Sequence, residues 1–512
     1  MIRKILYTFL WVSSVLALFS CKKDLGNYTY EDINEVQFPE GFDGKLTAYV
    51  NRPFVVKPKL DFTKDELGDT SRYSYEWIYI LPITGGDFGI KTLATTKDLN
   101  MIIKLNPGTY DSYFRVTDKE TGVQFRKRFN LEVRNEFNEG WLLMCEVNNK
   151  AQLDMLSLQE NGEFIVVNDL LETTGSPLQL AGKPKLVYSY FTGPLIGYGI
   201  NLDHGLYIGT DQSTDRVHAE TFDWQPNYNV KSEILALDLP ADFHIDVIKR
   251  VSATRAFMLS SDGNAMFYDR SSNMKYGEPL NYENEKGYKL APFIAVDENG
   301  NQTNEKPYFY DVEKRRFMRH NSVFDSKLTT IRDPLAGAKF SFNNTGKDLL
   351  YMDWVTFGGG EVHAILKDPA SSTCHLACFH GRFEMQTFYG QIASPDIAEA
   401  EHFAISPDQG YIYYSIGSKV YQYDKNSVPA TNKLVLDLGT DKISLLKFHK
   451  FHLPAKYTES NRLWVASYDP TKPEGQNGKL QQYSVMVAAQ GITLQKTYSG
   501  FGKVASMHYR ER

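Results

Sequence analysis

The chain has 512 residues, a formal net charge of −6 at pH 7 and 13% aromatic residues, with 32 Tyr and 31 Phe. That acidic balance excludes a nucleic-acid partner, which needs clustered Lys and Arg to neutralise phosphates. Four cysteines cannot build a disulfide framework at this length, so stability must come from a buried core, and the length predicts more than one domain.

Residues 1–20 begin with Arg3 and Lys4, followed by an apolar run from Ile5 to Phe19 broken by Thr8, Ser13 and Ser14. A basic start, a short apolar segment and a small residue at the cut site are the marks of a secretory signal peptide. The run is shorter than the ~20 apolar residues a membrane span needs. Leu18-Phe19-Ser20-Cys21 resembles a bacterial lipobox, with Phe19 departing from the commonest pattern. The resemblance implies a lipid on Cys21 as the first mature residue. Losing Arg3 and Lys4 with the leader moves the formal charge from −6 to −8. Lys22 stands where an aspartate would retain many lipoproteins in the inner membrane, so the expected location is the outer membrane, lipid-anchored and facing the cell surface. No second long apolar stretch follows.

Residues 21–37 lack a sustained apolar period and are expected to form a tether. From 38 to 135 the chain reads as short strands with turn signals: KLTAYV, FVVKPKL, YSYEWIYI, NMIIKL, YDSYFRVTD and RKRFNLEV. Tyr73, Tyr75, Trp77 and Tyr79 alternate along one strand as an aromatic stripe. Pro107-Gly108 marks a turn, and DKETG (118–122) a hairpin loop. Six or seven strands in about a hundred residues is the size of an immunoglobulin-like sandwich.

Tyr75-Glu76-Trp77, Pro107-Gly108-Thr109-Tyr110 and Val116-Thr117-Asp118, together with GNYTYEDINEV (26–36) and FNEGWLLM (137–144), resemble the PKD-like family lipoproteins of Bacteroidota. The resemblance covers residues 21–145. It implies a non-catalytic spacer or binding module and an accessory role in nutrient uptake, beside a TonB-dependent transporter and its lipoprotein partners.

Residues 138–512 show no long amphipathic helix and repeat one rhythm of strand, tight turn, strand and longer excursion. Residues 401–438 give the cleanest unit: HFAIS, PDQG, YIYYS, IGS, KVYQYD, a loop, then KLVLDL. Four strands in about forty residues is the size of a propeller blade. Echoes occur at 256–270, 307–321, 348–368 and 462–489. The expected fold is therefore all-β, an Ig/PKD-like β-sandwich followed by a β-propeller-like domain of seven or eight blades. A series of sandwiches is the alternative architecture.

Five stretches carry candidate chemistry. Asp297-Glu298-Asn299-Gly300-Asn301 spaces oxygen ligands as calcium loops do, yet Gly300 falls at the fourth position and Tyr308 stands where a closing carboxylate belongs, so a polar surface loop is expected. Gly358-Gly359-Gly360 has no Lys-Ser/Thr after it and reads as a loop within a blade hairpin rather than a phosphate cradle. Cys374 and Cys378, with His375, His380 and nearby His363, form the best zinc candidate. On a strand the two thiols would stand ~13 Å apart at ~3.3 Å per residue, which favours structural cysteines. Ser406-Pro407-Asp408-Gln409-Gly410 partly matches the Asp-box turn of sialidase-type propellers, where Ser and Asp bond local backbone groups. Phe448-His449-Lys450-Phe451-His452 places two histidines three apart with no acidic partner at metalloprotease spacing.

These residues assign no catalytic group, no cofactor and no metal ligand; lipid attachment at Cys21 is the one functional residue expected. The leading expectation is a non-catalytic outer-membrane lipoprotein binding a glycan, a peptide or another subunit. A propeller glycosidase or lyase on the same stalk is the rival. Two or three converging carboxylates, or a His–Tyr–Arg group, would favour the enzyme; aromatic platforms with scattered polar groups would favour the binder.

Overall fold

A computed structural model of the protein describes residues 32–39, 44–65, 68, 71–82, 88–192, 204–235, 238–252, 255–269, 276–299, 306–487 and 491–512. Cys21, the signal peptide and most of the tether lie outside the described residues. The chain divides into two compact units, one built mainly from residues 54–101 and 109–132, the other from 133–512 together with 48–53 and 102–108.

The first unit holds a five-stranded sheet and two strand pairs. The sheet's strand Tyr73–Pro82 pairs antiparallel with the central strand Gly108–Asp118 and with the edge strand Phe88–Ala94. Tyr73, Tyr75 and Trp77 point inward as the alternation predicts, and the Trp77 ring lies 4.4 Å from Phe114. The stripe does not continue to Tyr79. A register shift between Trp77 and Ile78 buries Ile78 and leaves Tyr79 half-buried, edge-on to Tyr110. Trp77 Nε1 donates to the carbonyl of Thr96 at 3.0 Å, so the buried indole is satisfied.

The second unit is propeller-like, with seven antiparallel blades among the described residues. The inner strands of blades 2 to 7 are Pro184–Phe191, Ile245–Ser252, residues 290–295, Asp348–Val355, His402–Ile405 and Lys442–Phe448. Blade 6 reproduces the unit expected at 401–438, strand for strand: His402–Ile405, Ile412–Ile416, Lys419–Asp424 and Thr431–Asp437. In blade 4 the inner segment joins Tyr308–Asp311 only through bridges at Leu290 and Ala295.

Blade 1 is assembled from both ends of the unit. Its outer strands are Gly140–Val147, Lys150–Leu158 and Phe164–Val167, and its inner strand is the chain's last, Lys503–Arg510. Trp141 faces Tyr509 and Leu142 faces His508 across that pairing. The last strand also packs against the inner strands of blades 2 and 7. The core follows the same ring. Seven apolar clusters lie one between each pair of successive blades, and the cluster of Trp141, Trp464 and Tyr509 joins blade 7 to blade 1. Apolar burial therefore holds the blades side by side and leaves the axis, where the inner strands meet, for other residues.

Candidate functional site

In blades 5, 6 and 7 the inner strand ends in a loop to the second strand, and these loops crowd one mouth of the central channel. Thr356 to Gly360 supply it from blade 5, Ser406 to Tyr411 from blade 6, and His449 to Asn461 from blade 7. Asp297 and Asn299 stand at the same mouth from blade 4. A cavity of about 480 Å³ opens there, lined by Trp354, Thr356, Asp408, Lys450, Tyr457 and Asn461 among others.

The Trp354 ring is held by two glycines. A side chain on Gly360, which adopts φ +104°, would come 2.9 Å from Trp354 Cζ2, and one on Gly381 would come 2.8 Å from its Nε1. The glycine run 358–360 is a blade hairpin loop, as its sequence suggests, and its last member makes room for the indole. Asp408 departs from the expectation of a self-contained turn. Ser406 does close the turn, its carbonyl accepting from Gly410 N at 3.0 Å. The Asp408 carboxylate instead reaches neighbouring blades, accepting from Thr356 Oγ1 at 3.1 Å and from Asn461 Nδ2. It belongs to the cavity wall because the adjacent loops offer donors that the turn's own backbone does not.

Beneath this cavity a layer of paired charges crosses the channel. Lys249 Nζ lies 2.7 Å from Glu298 Oε1, and Tyr188 Oη donates to Glu298 Oε2 at 2.8 Å. Lys450 Nζ lies 2.9 Å from Asp353 Oδ1 and 5.7 Å from the Trp354 ring centre. His452 Nδ1 donates to Asn299 Oδ1 at 2.5 Å; Asn299 Nδ2 in turn donates to the Phe451 carbonyl at 2.7 Å, which fixes Oδ1 as the acceptor. Burial alone would raise the Glu298 carboxyl, but Lys249 and Lys450 hold it far below the usual carboxylate range. Burial, with Arg250 close by, pushes His452 down to about 4, and burial keeps His449 and His508 neutral as well. Glu298 is therefore no part of a surface loop, as its sequence context suggested: it is 4% exposed and faces the channel. Lysine charges, rather than water, satisfy it.

The cysteine candidates fall elsewhere, in the seam between blades 5 and 6. The hairpin forms as expected, Glu361–Lys367 against Cys374–His380, with His363 opposite Cys378 and Cys374 opposite Lys367. Cys374 packs apart from its fellow thiol's polar neighbours. Glu361, His363 and Cys378 place one donor atom each within 4.8 Å of one another. Lys425 Nζ lies 3.0 Å from Glu361 Oε2, and His363 Nε2 donates to the same oxygen at 2.7 Å. Those two donors hold the Glu361 carboxyl down at about 2 against the effect of burial, while burial pushes the Cys378 thiol up to about 12. The buried carboxylate thus has its counter-charge from a lysine, and the thiol stays protonated.

A sequence model of the PKD-like family matches residues 21–184, about a third of the chain. No curated protein matches. Among solved structures, a quinonprotein alcohol dehydrogenase-like protein from Bacteroides thetaiotaomicron is similar at 13% identity, covering 92% of this chain and 98% of its own, with a TM-score of 0.41. A structure described as the Dos1 propeller is 11% identical, over 72% of this chain and 88% of its own, with a TM-score of 0.40. A putative 6-phosphogluconolactonase from Bacteroides uniformis is 12% identical, over 86% of this chain and 100% of its own, with a TM-score of 0.32. Likenesses this distant assign no activity or ligand to the chain.

The arrangement at the mouth offers an exposed Tyr457, a largely buried Trp354 in the cavity wall and several hydrogen-bonding side chains. Asp297 accepts from Asn299 N at 3.0 Å and is raised by burial, and the other carboxylates nearby are engaged by side chains. Glu298 and Asp353 are each bound to a lysine, and Asp408 is bridged by two donors. Sequence reading missed Lys249, Asp353 and Lys447. A signal was present for two of them: Asp353 in YMDWV and Lys447 in SLLKF are each a lone charge beside buried apolar residues in a blade's inner strand, whereas Lys249 sits next to Arg250 in DVIKRV.

Proposed function

We propose that the protein is a non-catalytic binding module, fastened to the outer membrane through a lipid on Cys21 and holding a glycan or peptide at the channel mouth. The observation that carries this reading is the Trp354 cavity. It joins the Trp354 edge and the exposed Tyr457 to Thr356, Asp408 and Asn461. Around it Asp353 is paired with Lys450 and Asp408 is bridged by two donors, which leaves Asp297 as a lone carboxylate without the second that glycosidic hydrolysis needs. Cavities of a few hundred Å³ with an apolar wall and a few placed polar groups suit small ligands. Support for the anchor comes from Leu18 to Cys21, and support for an accessory role beside a TonB-dependent transporter comes from the PKD-like match over residues 21–184.

The test is a glycan and peptide binding screen on the purified full chain in detergent, with product analysis of every hit. We expect saturable binding without turnover, lost in Trp354→Ala. Conversion of the bound ligand would refute the non-catalytic reading, and undiminished binding by Trp354→Ala would refute the site.

A further inference from the structure

A second cavity of about 400 Å³ lies in the channel on the other side of the paired charges, and it shares no lining residue with the first. Its aromatic wall is Phe293, Tyr351 and Phe403. Tyr351 meets Phe293 edge-on at 5.4 Å and stacks on Phe403 at 5.6 Å. Lys249, Asp353 and Lys447 supply its polar wall together with the exposed Glu401 and the half-buried His402.

The charges there do not cancel. Lys249 pairs with Glu298 and Asp353 with Lys450, so neither pair leaves a net charge. Lys447 has no carboxylate partner among the described residues; its ammonium donates only to the Met507 carbonyl at 2.5 Å. The charged and titratable groups around it are Lys249, Glu298, Asp353, Lys450 and the neutral His508, while the exposed Glu401, which accepts from Gly417 N at 3.2 Å, and His402, lowered by burial, line the same cavity. Arg250, on the far side of the layer, likewise has a buried Nε without a partner. An ammonium removed from bulk water, with two others near it, lacks the anion that a buried cation ordinarily has.

We propose that this cavity binds a small monoanion in which a carboxylate is carried on a ring, as in a sugar acid. The carboxylate would take the place of a counter-ion for Lys447, and the ring would lie against Phe293, Tyr351 and Phe403. Within the buried layer one surplus positive charge matches one negative charge, and Asp353, Glu298 and the exposed Glu401 would repel a second. An aromatic wall gives a ring's C–H face a surface that water cannot match. Burial and the neighbouring lysines lower Lys447 to about 8, so it is charged at neutral pH and binding must weaken as pH rises past that value.

The test is calorimetric titration of the full chain in detergent with glucuronate, benzoate, glucose and inorganic phosphate. Binding of glucuronate or benzoate supports the proposal and identifies the ring, a sugar in the first case and an arene in the second. We expect no saturable signal from glucose. Lys447→Met should weaken binding at least tenfold, Lys447→Arg should restore it, and Trp354→Ala should leave it unchanged. That last variant separates this cavity from the one at the mouth, so the failure of either reading leaves the other standing. Thermal unfolding of each variant confirms that it is folded. Failure of both carboxylates to bind, equal binding of glucose, tighter binding of phosphate, or full binding by a folded Lys447→Met would each overturn the proposal.

Discussion

Replacing Lys447 by Met removes an ammonium from the channel while keeping the length of the side chain. In the folded protein Lys447 titrates at about 8 against an ordinary 10.5, because burial disfavours its charge and Lys249 repels it. A shift of that size corresponds to about 3 kcal/mol, at about 1.4 kcal/mol per pH unit. The side chain still meets channel water, so that value is an upper bound. The lost hydrogen bond to Met507 takes back about 1 kcal/mol. A net stabilisation of about 2 kcal/mol at pH 7 follows. Its pH dependence has a definite sign. A lysine lowered on folding binds fewer protons in the folded than in the unfolded chain between pH 8 and 10.5. Wild-type stability therefore rises across that window relative to the variant, and the penalty is fully present below it. Urea unfolding of both proteins at pH 7 and pH 10 measures the difference. The Lys447→Met midpoint should lie higher at pH 7, and the gap should close by pH 10. A variant no more stable than wild type at pH 7, or a gap independent of pH, would show that the ammonium is not strained by the channel.

Three further outcomes are expected. Gly360→Ala forces a side chain into a φ of +104° and against Trp354, so it should cost about 1–3 kcal/mol and weaken binding at the mouth, read by thermal unfolding and titration. Cys21→Ala should move the protein from the membrane to the soluble fraction; unchanged fractionation would contradict lipidation there. Elemental analysis should find no stoichiometric zinc, since Lys425 already neutralises Glu361 beside Cys378. A molar equivalent of zinc removed by Cys378→Ser would reverse that assignment.

Much of the fold could be read because strand pairing here is local. Residues 401–438 carry four strands and their turns without a gap, so blade 6 was visible whole. The blade made of Gly140–Val147 and Lys503–Arg510 was not, because its partners are separated by the entire unit and no turn between them marks the pairing. Blade 4 was blurred for another reason: its inner segment contains Pro292 and joins the sheet by bridges rather than a continuous ladder. Site residues were harder still. Lys450 and His452 stood out within the cluster 448–452, yet their partners Asp353 and Asn299 come from other blades, and nothing local announces that meeting. Asp408 was noticed for the wrong partner, since a turn motif predicts bonds to its own backbone and cannot anticipate donors from two flanking loops.

The same geometry explains why the polar residues lie where they do. Seven apolar clusters between the blades hold the ring, and none of them contains Lys249, Glu298, Asp353 or Lys447. Ion pairs withdrawn from water contribute little net stability, and apolar residues of similar volume would serve the fold at least as well. Lys447 goes further, because burial lowers its pKa and no carboxylate pairs with it among the described residues, so it is expected to lower stability at neutral pH. Residues that oppose folding persist where a function needs them. In this protein they mark the axis of the propeller-like unit, between a Trp-lined cavity at the mouth and a Tyr- and Phe-lined cavity below, and the two proposed binding sites are placed on that ground.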